Sequence, residues 1–493
     1  MTIEETPVDV LRTPEAGARA IRGGVLRGGG YAVSLVLAAA TSVFLLRGLG
    51  VEDFGRYATV AAIVGVVSIL TDAGLTAVGA RELSLLPRGS PREDVLRVLV
   101  ALRILLSVAA ILLAALFALA VGYETVIVEG VLLAGLGVLL VNVQATALLP
   151  LSVELRLGVV TGFEVLKQAL TLVGVAALAV LGASLLPYLV LQAVVGVVVL
   201  ALTPKVVGGL RLLQPRLDRR AAVTLLREAV PIGVAIAMNV LYLRLLVILV
   251  SLLEDEMETG LYGTAFRIFE MLIVLPGIVL SVALPVLSVA GAEDRARLRY
   301  AVQRLTEVAV LVGLGLALAS TALAVPGIEL LYGAQYADAA PMLQLQAWAL
   351  VPLFLGQAVV MALVALRRQR AIAAANAVAV AVVLVSGPLL VRAFGGEGAA
   401  LAGVVTEAVL CGMLLAALAV RERTALPDFA FVWRPVAATL AGVVPLVVLG
   451  ADAWLSALLA ATAFVVVAVV VRAVPSEVYD ALVRRGPGAK GSG

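Results

Sequence analysis

The chain has 493 residues, 62% hydrophobic and 14% charged, with a mean hydropathy of +1.12 and a formal net charge of +3. Soluble domains run nearer about 45–50% apolar and about 25% charged, so this composition cannot furnish the polar shell of a water-soluble molecule. Histidine is absent, which excludes imidazole bases, catalytic triads and most zinc sites, and the single cysteine, Cys411, lies in an apolar run and excludes a disulfide framework. No metal or cofactor is expected, and nothing marks a nucleic-acid partner. The Leu/Val/Ala runs reach the roughly 20 residues that cross hydrocarbon as helix. An all-α polytopic membrane protein follows.

Residues 1–27 are polar, hold four arginines, and read as a cytoplasmic tail; early Glu4, Glu5 and Asp9 do not suit a signal peptide. Apolar stretches follow near 28–46, 57–80, 97–121, 126–149, 159–181, 185–203, 229–252, 260–286, 305–325, 340–366, 371–394, 399–420, 433–450 and 453–472. These are fourteen spans, punctuated by Pro87, Pro91, Pro150, Pro187, Pro204, Pro215, Pro326, Gly395-Gly396 and Pro427. The organisation expected is a six-span lobe over 28–203, a basic cytoplasmic linker over 204–228 and a second six-span lobe over 229–421. Two further spans over 422–472 and a cytoplasmic tail over 473–493 complete the chain. The lobes are expected to be pseudo-symmetric around a central cavity.

Of the 36 basic residues, 29 fall in the tails and even-numbered connections, against Arg47, Arg56 and Arg392 in the odd ones. The remaining four lie within spans. Lys and Arg concentrate on the cytoplasmic side, so both termini are expected there, in a cell membrane. The run from Gly55, GRYATVAAIVGVVSIL, aligns without gaps to that from Gly260, GLYGTAFRIFEMLIVL, with five of sixteen positions identical. Each copy opens the second span of its lobe, which makes the lobes parallel repeats.

Charges at bilayer depth cost at least about 2.5–3.5 kcal/mol and need a reason. Arg103, Lys167, Arg244 and Arg267 lie within spans, as do Asp72, Glu164, Glu270 and Glu407. Glu164–Lys167 and Arg267–Glu270 are spaced to pair along one helix face, and Arg103 and Lys167 sit near enough to an interface to snorkel. Arg244 has no acid within a turn on its own span, so it is expected to meet a cavity, a partner from another span or a substrate. Asn239, Tyr242, Gln357 and Asn376 are candidates to line the same cavity. A guanidinium fork pairs bidentately with phosphate oxygens, so the candidate anion-binding residues are Arg244, Arg267, Arg47, Arg103 and Lys167. Asp72, Glu270 and Glu407 are candidates for coupling or gating. Together these features point to a transporter of an anionic or amphiphilic substrate.

Five motifs add a resemblance. Arg47-Gly-Leu-Gly-Val-Glu-Asp-Phe-Gly-Arg-Tyr57 resembles the R-x-L-G-P-E-x-F/Y-G-x-Y run of polysaccharide and oligosaccharide flippases, within the multidrug/oligosaccharidyl-lipid/polysaccharide exporter superfamily. Asp72-Ala-Gly-Leu75 with Arg81-Glu82 is similar to that family's D-x-G-L … R-E. Gly260-Leu-Tyr262 through Arg267, Tyr332-Gly333 through Tyr336, and Gly395-Gly-Glu-Gly398-Ala-Ala resemble three more of its runs, in the family's order. Where the family often carries Y-x-R-I-D, Tyr242-Leu-Arg244-Leu-Leu lacks the acid. The resemblance implies translocation of a polyprenyl-diphosphate-linked oligosaccharide between leaflets for cell-surface or lipopolysaccharide synthesis. It also implies a polysaccharide polymerase and glycosyltransferases as pathway partners. A multidrug/cation antiporter or a peptidoglycan-precursor flippase would share the fold. A membrane glycosyltransferase or ligase would need external catalytic loops, and the external loops here are short.

Overall fold

Backbone polar groups in hydrocarbon have no water to bond, so a long apolar run satisfies them internally by forming helix. The computed structural model agrees. It describes residues 14–72, 74–87, 89–293, 295–422, 426–448 and 453–473, which are helical with short connections and no strand among them. The expected tails at 1–13 and 474–493 lie outside the described residues. Among the described residues, eleven helical stretches are long and apolar enough to cross a membrane. One of them, Gln369–Val420, holds two expected spans end to end, because Phe394 and Gly395 leave helical geometry inside it. The expected seventh and eighth spans fall in Arg219–Leu253 and Glu256–Glu293.

The chain forms two compact units, Met1–Leu252 and Leu253–Gly493. The first contains α1 (Pro14–Leu49), α2 (Val51–Asp72), α3 (Leu75–Leu85), α4 (Ser90–Val121), α5 (Thr125–Ala147), α6 (Leu149–Val153), α7 (Leu157–Val180), α8 (Leu185–Leu202), α9 (Pro204–Val207) and most of α10 (Arg219–Leu253). Helix α1 packs along α7, while α5 packs against α8, α4 and α2. Apolar side chains gain little from leaving lipid for protein, so close backbone approach must supply the attraction. Gly137 and Gly196 provide it between α5 and α8: a Cβ on Gly137 would lie 2.8 Å from Ala193 N, and one on Gly196 would lie 2.9 Å from Leu140 Cβ.

Two expectations change here. Helix α1 begins at Pro14, so the latter part of the expected polar tail is the helical lead-in to the first span. The segment 204–228, expected as a linker, is folded against the first unit. Leu225 and Ala229 join Leu75, Val78, Leu83, Leu96, Leu99 and Leu149 in one buried cluster, with Leu212 against it. Arg97 Nε donates to the Gln214 carbonyl at 3.0 Å, and the Arg216 N–H donates back to the Arg97 carbonyl at 3.2 Å.

The second unit contains α11 (Glu256–Glu293), α12 (Arg295–Tyr332), α13 (Ala340–Ala347), α14 (Leu350–Ala365), α15 (Gln369–Arg421), α16 (Trp433–Val448) and α17 (Ala453–Val470). Helix α12 packs on α13 and α14, and α16 and α17 pack on each other and on α12. Pro326 was expected to close the ninth span, yet α12 runs through it to Tyr332, as transmembrane helices can when neighbours satisfy the freed carbonyl. In the two aligned segments Thr59 Oγ1 donates to the Gly55 carbonyl at 3.0 Å and Thr264 Oγ1 to the Gly260 carbonyl at 2.8 Å, the bond that helical Ser and Thr make throughout this chain.

Candidate functional site

The intramembrane charges fall into one set per unit. In the first, α2 stops at Asp72 and α3 starts at Leu75, with Gly74 at φ 77° between them. A Cβ at Gly74 would lie 2.4 Å from the Ala229 carbonyl oxygen, so only glycine lets this break rest against α10. Arg103, 3% exposed on α4, closes around the break. Its Nη1 donates to the Thr71 carbonyl at 3.0 Å and to Asp72 Oδ1 at 2.8 Å, its Nη2 to Thr76 Oγ1 at 2.9 Å, and its Nε to Thr146 Oγ1 at 3.0 Å. Thr76 also donates to Asp72, and Asn142 Nδ2 donates to Thr71 Oγ1 at 2.8 Å. Four of the five guanidinium N–H groups are thus held by protein oxygens, one of them a carbonyl that the end of α2 leaves unpaired. Arg103 and Asp72, read from sequence as a substrate ligand and a coupling acid, are brought together as a clamp. The sequence did not reveal Thr71, Thr76, Asn142 and Thr146 as its partners; hydroxyls clustered near span ends were the available signal.

Arg244 is half-buried on α10, within the first unit, and its side chain lies across α2 at Gly65. A Cβ there would sit 3.1 Å from Arg244 Nε and 3.3 Å from Cδ, so the absent side chain makes the bed for the guanidinium stem. Tyr242, two residues earlier, is 4% exposed. Arg47 is exposed in the last turn of α1, where the helix dipole favours a cation. Lys167 is half-buried on α7, and Glu164, three residues earlier, is exposed. Near the ends of the helices, Arg56 bonds Asp53 at 3.0 Å and Glu124 at 2.9 Å, and Arg81 of α3 pairs with Glu228 of α10. Tyr123, in the α4–α5 connection, shares a 2.7 Å hydrogen bond with Ser251, and burial pushes its phenol above the usual range.

In the second unit, Arg267 pairs with Glu270 at 3.2 Å, as the spacing predicted, and both remain about one third exposed, at 35% and 29%. Glu407 and Asn376 are each 3% exposed, and Gln357 is half-buried. The Asn239 side chain lies outside the described residues. Tyr262 and Gln346 bury polar tips at 0% and 1% exposure. Glu258 was not foreseen: its Oε1 accepts the Gly396 N–H at 2.7 Å, where α15 restarts after Gly395 at φ 56°. Among the described residues no group of three or more His, Cys, Asp or Glu is placed to hold a metal ion.

Two helical units that keep ionisable side chains inside their spans have the build of a polytopic membrane transporter. A family model described as polysaccharide biosynthesis protein matches residues 44–341, and the chain belongs to that family. The family resemblance carried by the five motifs is therefore borne out. Solved structures share the fold, among them the following three. Lipid II flippase MurJ, in an inward closed conformation, has a TM-score of 0.69 at 12% identity, covering 94% of this chain and 100% of that one. An inward-facing multidrug resistance MATE family transporter of the MOP superfamily gives 0.61 at 15%, covering 81% and 98%. A MOP superfamily transporter from Pyrococcus furiosus gives 0.50 at 14%, covering 83% and 96%. No curated protein sequence matches the chain.

Proposed function

We propose that the protein flips a polyprenyl-diphosphate-linked oligosaccharide from the cytoplasmic to the outer leaflet of the cell membrane, both termini cytoplasmic, and transports the glycan without transforming it. The observation that carries this reading is Arg244, a guanidinium kept at span depth on α10 and laid over Gly65. A cation at that depth costs too much to be kept as a neutral passenger. Its fork matches the oxygens of a diphosphate. Arg47, in the same unit, is a weaker candidate for this anion, and Arg267 is a separate candidate in the second unit, while Arg103 is committed to its clamp. The family match supports a glycan pathway, in which glycosyltransferases supply the substrate and a polymerase consumes the flipped product.

The test is a flipping assay in proteoliposomes with a fluorescent polyprenyl-diphosphate oligosaccharide. Wild type is expected to expose the glycan to an external enzyme. Arg244→Ala is expected to abolish this at normal protein abundance, and Arg244→Lys to keep part of it. Full transport by Arg244→Ala removes the assigned role. Transport of a peptidoglycan precursor or an organic cation in place of the oligosaccharide lipid overturns the substrate.

A further inference from the structure

The folded segment between α8 and α10 ends a helical stretch, Leu185–Val207, apolar and long enough to cross a membrane, so it emerges at a bilayer surface. It is rigidly set. Leu212 and Leu225 anchor it on the buried cluster, and the exchanged Arg97–Gln214 and Arg216–Arg97 hydrogen bonds fix its middle. Arg216 is used internally against Asp94. Lys205, Arg211, Arg219, Arg220 and Arg227 are all exposed, and none makes an ion pair among the described residues. The acids nearby are already engaged: Asp218 Oδ1 accepts the Arg220 and Ala221 N–H groups at 3.0 and 3.2 Å, and Glu228 pairs with Arg81. Two of the cations stand in the first turn of α10, which holds no acid and where the helix dipole disfavours them. Beside them Leu217 is 78% exposed and Val223 40%. Cations alternating with exposed apolar side chains at a bilayer surface match the headgroup region of an anionic leaflet.

We infer that residues 205–227 form a preorganised docking surface for anionic phospholipid headgroups of the membrane in which the protein sits. The occupant is committed by charge, since five cations outside any ion pair among the described residues outnumber the one carboxylate beside them, Asp218, where anionic lipids make the surface negative, and by position, since both flanking helices enter that bilayer. A cation pinned by the fold binds without first ordering a loop, which a mobile linker could not do.

The full-length protein in nanodiscs of phosphatidylcholine, titrated with phosphatidylglycerol, tests this by counting retained anionic lipids in native mass spectrometry. Joint Lys205→Gln, Arg211→Gln, Arg219→Gln, Arg220→Gln and Arg227→Gln is expected to weaken phosphatidylglycerol binding by about tenfold or more and to flatten its salt dependence. Arg367→Gln with Arg370→Gln, exposed cations of the second unit, is expected to leave binding unchanged. Undiminished phosphatidylglycerol binding by the five-site variant overturns the inference, as does an equal loss in the control pair. Loss of affinity for a polyprenyl diphosphate with phosphatidylglycerol binding intact overturns it in favour of a substrate-collecting surface. The readout is lipid retention, so its outcome is separate from the transport reading above.

Discussion

Arg103 and Arg244 were indistinguishable as letters, each a base inside an apolar run, and their surroundings separate them. Arg103 has a carboxylate, a carbonyl and two hydroxyls within 3.0 Å, contributed by α2, α3 and α5. Such a set comes from residues 27 to 43 positions away, which no local pattern displays. Removing the buried guanidinium leaves the Thr71 carbonyl and the Thr146 hydroxyl without their donor, while Asp72 keeps partial access to solvent, so Arg103→Ala is expected to cost about 2 kcal/mol and lower the melting temperature in detergent. Arg103→Lys should recover little of it, because a point charge cannot occupy four acceptors in the plane of the fork. A wild-type melting temperature for Arg103→Ala would refute the clamp. Gly65 carries the opposite expectation. Alanine is the better helix former by about 1 kcal/mol, yet its Cβ would press on the Arg244 guanidinium at 3.1 Å. Gly65→Ala should therefore keep or raise thermal stability while slowing flipping severalfold in the proteoliposome assay. Unchanged flipping would show that the bed under Arg244 does not position it.

At the scale of elements, the motifs that made the family legible turn out to describe where helices stop. Asp72, Gly74 and Arg81 of one motif build the α2–α3 break, its clamp and its tie to α10. Gly395 and Gly396 of another build the break inside α15. These positions show in the sequence because a left-handed residue, a cap or a helix start tolerates few residue types. The side chain that completes the second break did not show, since Glu258 lies 138 residues from the N–H it accepts. Its carboxylate meets Gly396 where α15 begins again and the exposed N–H groups lack an intrahelical partner. Glu258→Ala is expected to destabilise that restart by about 1 kcal/mol, with Glu258→Gln keeping most of the stability. Hydrogen exchange of residues 396–400 reads this directly: equal protection in wild type and Glu258→Ala would exclude the cap. Span existence was likewise legible from hydropathy, but the folding of 204–228 was not, because leucines and basic residues interleave there and nothing local marks Leu212 and Leu225 as the ones that are packed.

For the whole molecule, the repeat and the sorting of basic residues are the two global features that the linear sequence carries. The aligned segments fall at the starts of α2 and α11, one in each unit. The sorting is the basis of the side proposed for each connection. The structure refines which positions can report it: Gly396 is unsuitable for a probe, because a Cβ there would meet Met342 Sδ at 2.7 Å, whereas Glu397 beside it is exposed. Met257, at the start of α11, is 48% exposed, and Ser90, at the start of α4, and Gln214 are exposed as well. Cys411 is 5% exposed and packs as a small apolar side chain, so Cys411→Ala provides a thiol-free background. In intact cells, cysteines placed at Met257 and Glu397 are expected to react with a membrane-impermeant thiol reagent. Cysteines at Ser90 and Gln214 should react only after the membrane is permeabilised. The proposed orientation rests on 29 of the 36 basic residues falling in the tails and even-numbered connections, the side on which Lys and Arg collect. Labelling of Ser90 and Gln214 in intact cells, with Met257 and Glu397 protected, would invert the topology and with it the direction of the proposed transport.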